Sequence, residues 1–264
     1  VLDMEVNGHS IMELSGKIAL VTGGGTGIGK AIAEALAGGG ARVAAASRNP
    51  AHLEFARAGG PFMAVEMDVR DKAHVQSGVA KIRESWGPID ILINNAGISG
   101  LTAMDDANDR RWRDIIETNL TGSYLVTKEV LKFMRNHADG RIINVSSVLG
   151  KFGVPGYAAY CSAKHGIIGF TRAVALEVVG RGITVNAICP GWVETEMARQ
   201  GIEESSAFEG ITPEAFRKRA VEMVPIKRFL EADEVSGLVL YLVSKKAAGI
   251  TGQAINICGG QTMV

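Results

Sequence analysis

Residues 17–22 (KIALVT) form a short apolar run, followed at once by Gly23-Gly24-Gly25-Thr26-Gly27-Ile28-Gly29. A helical apolar pattern then runs from Ile28 to about Leu36. No other stretch constrains the fold as much as this sequence of strand, glycine-rich turn and helix. Glycines permit a tight turn and let backbone approach a pyrophosphate closely, and the helix start offers unpaired N–H groups and a positive dipole end. The stretch reads as the opening of a dinucleotide-binding βαβ unit. Its candidate cofactor contacts are Gly23, Gly25, Thr26, Gly27, Ile28 and Gly29. The competing reading is a plain glycine-rich turn.

The pattern continues along the chain. Strand-like runs fall at residues 41–47, 62–67, 89–93, 141–145, 184–188 and 254–257. Helical patterns fall at 51–58, 71–86, 109–136 (broken at Gly122), 157–179 and 231–242. Most of the strands are apolar without clean alternation, the mark of a parallel sheet covered on both faces. The expected fold is α/β: a Rossmann-type, doubly wound parallel sheet of about seven strands. Residues 14–264 read as one domain and residues 1–13 as a flexible extension, with Met4 and Met12 as candidate starts. Residues 194–225 are polar, contain Gly201 and Gly210, and read as a mobile substrate lid with a helix from Pro213.

With 264 residues, 47% of them hydrophobic, the chain can build a sizeable core. Lys+Arg and Asp+Glu both number 28 and no basic tract stands out, so neither nucleic acid nor an anionic membrane is an expected partner. No apolar run reaches the ~18 residues of a membrane span, and residues 1–10 lack a signal-peptide pattern. Cys161, Cys189 and Cys258 are few, odd in number and far apart, which fits a reduced cytoplasmic protein and neither a disulfide framework nor a zinc site.

Several residues could carry chemistry. Tyr160 and Lys164 lie four apart on one helix face. A neighbouring ammonium favours a phenolate, so the lysine is expected to lower the tyrosine pKa and make it an acid/base group. The bland alternative is a surface tyrosine beside a solvated lysine. Ser146 and Ser147 end the fifth strand, where alternation lets only one of them face a cleft. Asn119 interrupts a helix, serving either a site or its own local bond. Ser47-Arg48 ends the second strand without the carboxylate that would favour NAD, and Arg48 can pair with a 2′-phosphate, so NADP(H) is favoured over NAD(H). Asp68, followed by Val69, ends the third strand and could accept from the adenine amino group or cap a helix, although Asp71 is better placed to cap. Asn94-Asn95-Ala96-Gly97 follows the fourth strand, where Asn95, Ala96 and Gly97 let backbone approach a ribose or simply make a turn.

Taken in order, Thr-Gly-x-x-x-Gly-Ile-Gly, Asn-Asn-Ala-Gly, a helical Asn, a strand-end Ser, Tyr-x-x-x-Lys and Pro-Gly resemble the short-chain dehydrogenase/reductase family over nearly the whole chain. The segments around Asn119, Lys164, Pro190 and Gly259 look like those of ketoreductases of the acyl-carrier-protein and aromatic-polyketide type. The resemblance implies a catalytic tetrad of Asn119, Ser147, Tyr160 and Lys164, and its spacing selects Ser147 over Ser146. It places Tyr160 and Lys164 against the cofactor as well, and Pro190, Gly191, Val193 and Thr195 at the nicotinamide end. It implies reduction of a ketoacyl or polyketide thioester, with a free secondary alcohol or cyclic ketone as the alternative substrate. A homotetramer is also implied. The patch following Gly97 departs from the polyketide pattern, with Ile98-Ser99-Gly100-Leu101 in its place. A non-catalytic nucleotide-binding sensor is the reading from another class, and the intact tetrad opposes it. Cys161 and His165 point away from the tetrad face; Cys161 reads as a packing or helix-interface residue and His165 as a helix-surface or interface residue.

Overall fold

A computed structural model describes residues 13–105, 108–134, 136 and 139–264. Seven strands form one parallel sheet: β1 (Ile18–Thr22), β2 (Arg42–Ser47), β3 (Phe62–Glu66), β4 (Ile91–Asn94), β5 (Gly140–Val145), β6 (Ile183–Pro190) and β7 (Ala254–Ile257). Their order is β3-β2-β1-β4-β5-β6-β7. The order reverses between β1 and β4, and ligands of such sheets bind in the crevice beyond the strand ends at that point. The helices are α1 (Gly27–Gly38), α2 (Glu54–Arg57), α3 (Lys72–Trp86), α4 (Arg110–Ile116), α5 (Gly122–Leu131), α6 (Ala158–Val178), α7 (Glu196–Glu209), α8 (Pro213–Met223) and α9 (Ala232–Val243).

Successive strand residues point to opposite faces, and here both faces are buried. Ile18, Leu20, Leu92 and Ile142 pack with Val79 of α3, Val126 of α5 and Val174 of α6. Ala19, Val21, Ile91, Ile93 and Ile143 pack on the other face with Ile32 and Leu36 of α1 and Val239 and Leu242 of α9. This double burial explains why the strands read as continuous apolar runs. Each fully buried Leu or Ile contributes roughly 1.5–3 kcal/mol, so the sheet is a stiff platform for its C-terminal edge.

Two expectations change. The helix expected over 109–136 is α4 and α5 joined by a π-turn at Glu117–Thr121, and it ends at Leu131. The stretch 194–225 is a pair of regular helices, α7 and α8, with Gly201 inside α7 and Gly210 capping it in the left-handed region. Of the expected extension, residues 1–12 lie outside the described residues. Leu14 belongs to the core, 4% exposed.

Candidate active site

The glycine-rich turn emerges from β1. Gly23 and Gly27 have φ of +62° and +50°, a region costly for any side chain. A Cβ on Gly23 would also lie 2.9 Å from the Ala96 Cα. Thr26, the N-cap of α1, is extended and makes no side-chain cap, and the first turn carries no acidic residue. The first N–H groups of α1 are therefore left for an anion, which fits a dinucleotide pyrophosphate. Thr195 closes the opposite wall, its Cγ2 3.2 Å from where a Gly27 Cβ would stand.

The Asn-Asn-Ala-Gly turn is tied to this one. The Thr22 hydroxyl accepts from the N–H groups of Asn95 and Ala96, both at 3.1 Å. The Asn95 amide donates to the carbonyls of Thr22 (3.0 Å) and Gly23 (3.1 Å). The Asn95 side chain is thus a brace between two turns, and Thr22 is a partner that sequence reasoning did not single out. Asn94 turns inward and donates to Thr127 of α5 and Asn144 of β5, both at 2.8 Å. Asn144 in turn donates to Thr171 of α6 at 2.9 Å, fixing α6 against the sheet.

At the adenine end, Ser47 accepts from the Asn49 N–H at 3.1 Å, and Arg48 is exposed. Asp68 is gripped by Arg70, and its pKa is lowered chiefly by that hydrogen bonding. Asp71 is the helix cap, accepting from Ala73 and His74 at the start of α3. Val69 packs against Gly122, whose Cβ would stand 2.6 Å from the valine Cγ2.

Tyr160, on the first turn of α6, is hydrogen bonded to Ser147 at the end of β5. Ser146 turns the other way and donates to the Lys164 carbonyl at 2.9 Å. Lys164 is 5% exposed. Its ammonium donates to the Val145 carbonyl at 2.8 Å and stands 5.4 Å from the Tyr160 ring centroid. Burial dominates both groups. It pushes the phenol up to about 12, against the pull of the Ser147 bond, and pushes the lysine down to about 8. The expected lowering of the phenol pKa by Lys164 is therefore not what the protein alone does. Desolvation disfavours the phenolate and the ammonium alike and is the largest cause of both shifts.

Asn119 sits in the π-turn between α4 and α5. It is 1% exposed, and its amide is used twice by Ile98: Oδ1 accepts the Ile98 N–H and Nδ2 donates to the Ile98 carbonyl, each at 2.9 Å. The side chain braces the loop beside the cleft. Its carbonyl, in the π-turn, accepts from Ser123 at 3.0 Å.

Beyond Pro190 and Gly191, Val193 is buried and bridges to Leu230, and Thr195 caps α7 by accepting from Ala198 at 3.2 Å. Trp192 stacks on Phe229, with centroids 5.2 Å apart, and Ile202 and Phe216 complete that cluster. Ile202 and Phe216 therefore hold the helical pair down. Met197, Phe208, Ile211 and Met104 are exposed. Arg199 pairs with Glu196 and Glu203, and Arg217 with Glu194. Those two arginines are paired within the chain. Across the cleft, Glu204 of α7 pairs with Arg111 and accepts the Leu101 N–H at 3.2 Å, while Tyr157 and Ser205 share a hydrogen bond of 2.8 Å. The sequence carried no signal for this second set. Cys161 is buried and its carbonyl bonds the ring of His165, which lies exposed on the helix surface, at 2.9 Å.

A switch-point cleft beneath a glycine-rich turn, with a Ser–Tyr pair and a buried lysine on its floor, defines a nucleotide-dependent oxidoreductase of the doubly wound class. The family model for short chain dehydrogenases matches residues 17–206, and the chain belongs to that family. It is 44% identical over 252 residues to a Streptomyces coelicolor protein named as a ketoacyl reductase, covering 92% of this chain and 96% of that one. It is 42% identical to the 3-oxoacyl-[acyl-carrier-protein] reductase of Escherichia coli, over 96% of this chain and all of that one. A variant of actinorhodin polyketide ketoreductase, crystallised with NADPH, superposes with a TM-score of 0.88 at 41% identity, covering 96% and 99% of the two chains. The aldohexose dehydrogenase of Thermoplasma acidophilum gives a TM-score of 0.85 at 29% identity, covering 96% of each chain. The chain is an enzyme, an oxidoreductase.

Proposed function

We propose that the chain is an NADPH-dependent reductase of 3-ketoacyl or polyketide thioesters. The observation that carries this reading is the Tyr160–Ser147 pair on the cleft floor, protonated and shielded, with Lys164 directly behind it. The ketoacyl reductase relatives support the substrate class. The absence of a carboxylate at Ser47-Arg48 supports NADPH over NADH. Gly23, Gly25, Thr26, Gly27, Ile28 and Gly29 would hold the pyrophosphate. Ser47 and Arg48 would hold the 2′-phosphate, Asp68 and Val69 the adenine, Ala96 and Gly97 the ribose, and Pro190, Gly191, Val193 and Thr195 the nicotinamide end. Three buried, unpaired cysteines support a cytoplasmic setting.

When bound, the reduced nicotinamide supplies the hydride. The chain's own residues handle the substrate oxygen. Ser147 donates a hydrogen bond to it, stabilising charge as it develops. Tyr160 gives it a proton. A phenol held near 12 stays protonated at neutral pH and releases its proton only to an oxygen gaining alkoxide character. Lys164 supplies positive charge beside the phenol at that moment, and Asn119 keeps the Ile98 loop in place.

A second reading, oxidation of a free secondary alcohol, is favoured by the similarity to aldohexose dehydrogenase. Loss of NADPH absorbance against a panel of 3-ketoacyl thioesters, cyclic ketones and sugars separates the two. The thioesters are expected to turn over fastest, with NADPH preferred to NADH. Tyr160→Phe is expected to lower turnover by at least a hundredfold while NADPH still binds. Undiminished turnover in that variant would remove Tyr160 from the chemistry, and exclusive use of sugars would select the second reading.

A further inference from the structure

Arg70 follows the Asp68-Val69 step at the end of β3, and nothing in the proposed chemistry uses it. Its geometry is specific. The Asp68 Oδ1 accepts both the Arg70 N–H and its Nε–H, each at 3.0 Å. The Asp68 Oδ2 accepts Nη2–H at 2.7 Å, with Nε at 3.2 Å as the longer arm of a shared bond. The remaining arm, Nη1, donates to Asp114 Oδ1 of α4 at 3.1 Å. Asp114 is itself near Arg110, at 4.0 Å. The guanidinium is clamped between two carboxylates on different elements, with only 29% of its side chain exposed.

A carboxylate has about two acceptor positions on each oxygen. Both positions on Oδ1 are taken, whereas Oδ2 holds one full bond from Nη2 and only the weaker arm of the shared Nε–H. Asp68 keeps 22% of its side chain exposed and lies just beyond β3, at the edge where such sheets bind ligands. We infer that Arg70 is a positioning residue for the cofactor: it fixes the Asp68 carboxylate so that its less occupied oxygen, Oδ2, reads the amino group of adenine. The inference rests on the dinucleotide reading of the cleft. A planar fork suits the task, because parallel N–H bonds fix the carboxylate plane where an ammonium would leave it free to rotate. The carboxylate is also kept ionised, since Arg70 and the more distant Arg48 both lower its pKa. The bond from Nη1 to Asp114 extends the same grip to α4, so the adenine reader and the helix bordering the cleft loop share one guanidinium.

The test is equilibrium binding of NADPH and of its hypoxanthine analogue, in which an oxo group replaces the adenine amino group, to the full chain. Nicotinamide fluorescence gives the two dissociation constants. The unmodified protein is expected to prefer NADPH by about tenfold, the scale of one hydrogen bond to a charged group. Arg70→Ala is expected to reduce that preference to about twofold or less. Arg70→Lys keeps the charge without the fork and is expected to fall between, near threefold. Thermal melts show which variants are folded, and Arg70→Lys carries the test where Arg70→Ala is not. A tenfold preference surviving in Arg70→Lys or in folded Arg70→Ala overturns the inference. So does equal binding of the two nucleotides by the unmodified protein. Failure of the unmodified protein to bind either nucleotide would instead sink the dinucleotide reading itself.

Discussion

Lys164 shows how far burial can reset a single residue. Its ammonium has one neutral carbonyl partner, Val145, and no carboxylate is among the groups that shift its pKa. The folded pKa, about 8, lies below the ordinary 10.5, so between these values the unfolded chain binds more protons than the native one. Stability therefore rises with pH across that window and falls as pH drops through about 8. At neutral pH the cost of keeping the charge is on the order of 3 kcal/mol. Lys164→Met removes this dependence. The stability of the variant relative to the parent is expected to be highest below pH 8 and to shrink steadily towards pH 10, measured by urea unfolding at several pH values. A constant difference would mean that the lysine is not depressed. The spacing of Tyr160 and Lys164 was legible in the sequence because a helix places i and i+4 together. The direction of their pKa shifts was not, because desolvation depends on everything packed around them. Arg70 was equally hidden: an Asp-x-Arg spacing says nothing until the turn brings the fork onto the carboxylate.

At the scale of elements, the sheet and the helix from Pro213 were legible and α7 was not. Strands buried on two faces must be apolar throughout, and that pattern survives in any single sequence. In α7 and α8 the buried positions are sparse, and Gly201 reads as a break. It is tolerated inside α7, where Gly costs about 1 kcal/mol relative to Ala, and a Cβ there would stand 3.9 Å from the Trp192 ring. Glu204 and Ser205 fasten this helix to the opposite wall through Arg111, Leu101 and Tyr157. The pair Arg111–Glu204 is partly exposed, so it is worth no more than about 1 kcal/mol to global stability. Its influence is local. Glu204→Gln is expected to leave the melting temperature within a few degrees while raising amide exchange in residues 98–102 and 196–209. Unchanged exchange in both segments would show that the fastening is idle.

For the whole molecule, the outward faces matter. Leu176 of α6 is 80% exposed, and Tyr124 of α5 and Val179 just beyond α6 are also uncovered. Formal charge is balanced, 28 against 28, so little net repulsion opposes association. Exposed apolar residues of this kind would suit the homotetramer that the family resemblance implies. Light scattering is expected to give four times the chain mass, and Leu176→Glu a smaller species with its fold retained. A monomeric parent protein would reject the assembly.

The brace formed by Asn95 and Thr22 has a consequence for energetics at this scale. Because the two turns are already joined by four hydrogen bonds, a nucleotide entering between them meets a rigid frame. Ordering entropy then takes a small share of the binding free energy. Differences among nucleotide analogues should accordingly appear in how long each one stays, with arrival rates nearly alike.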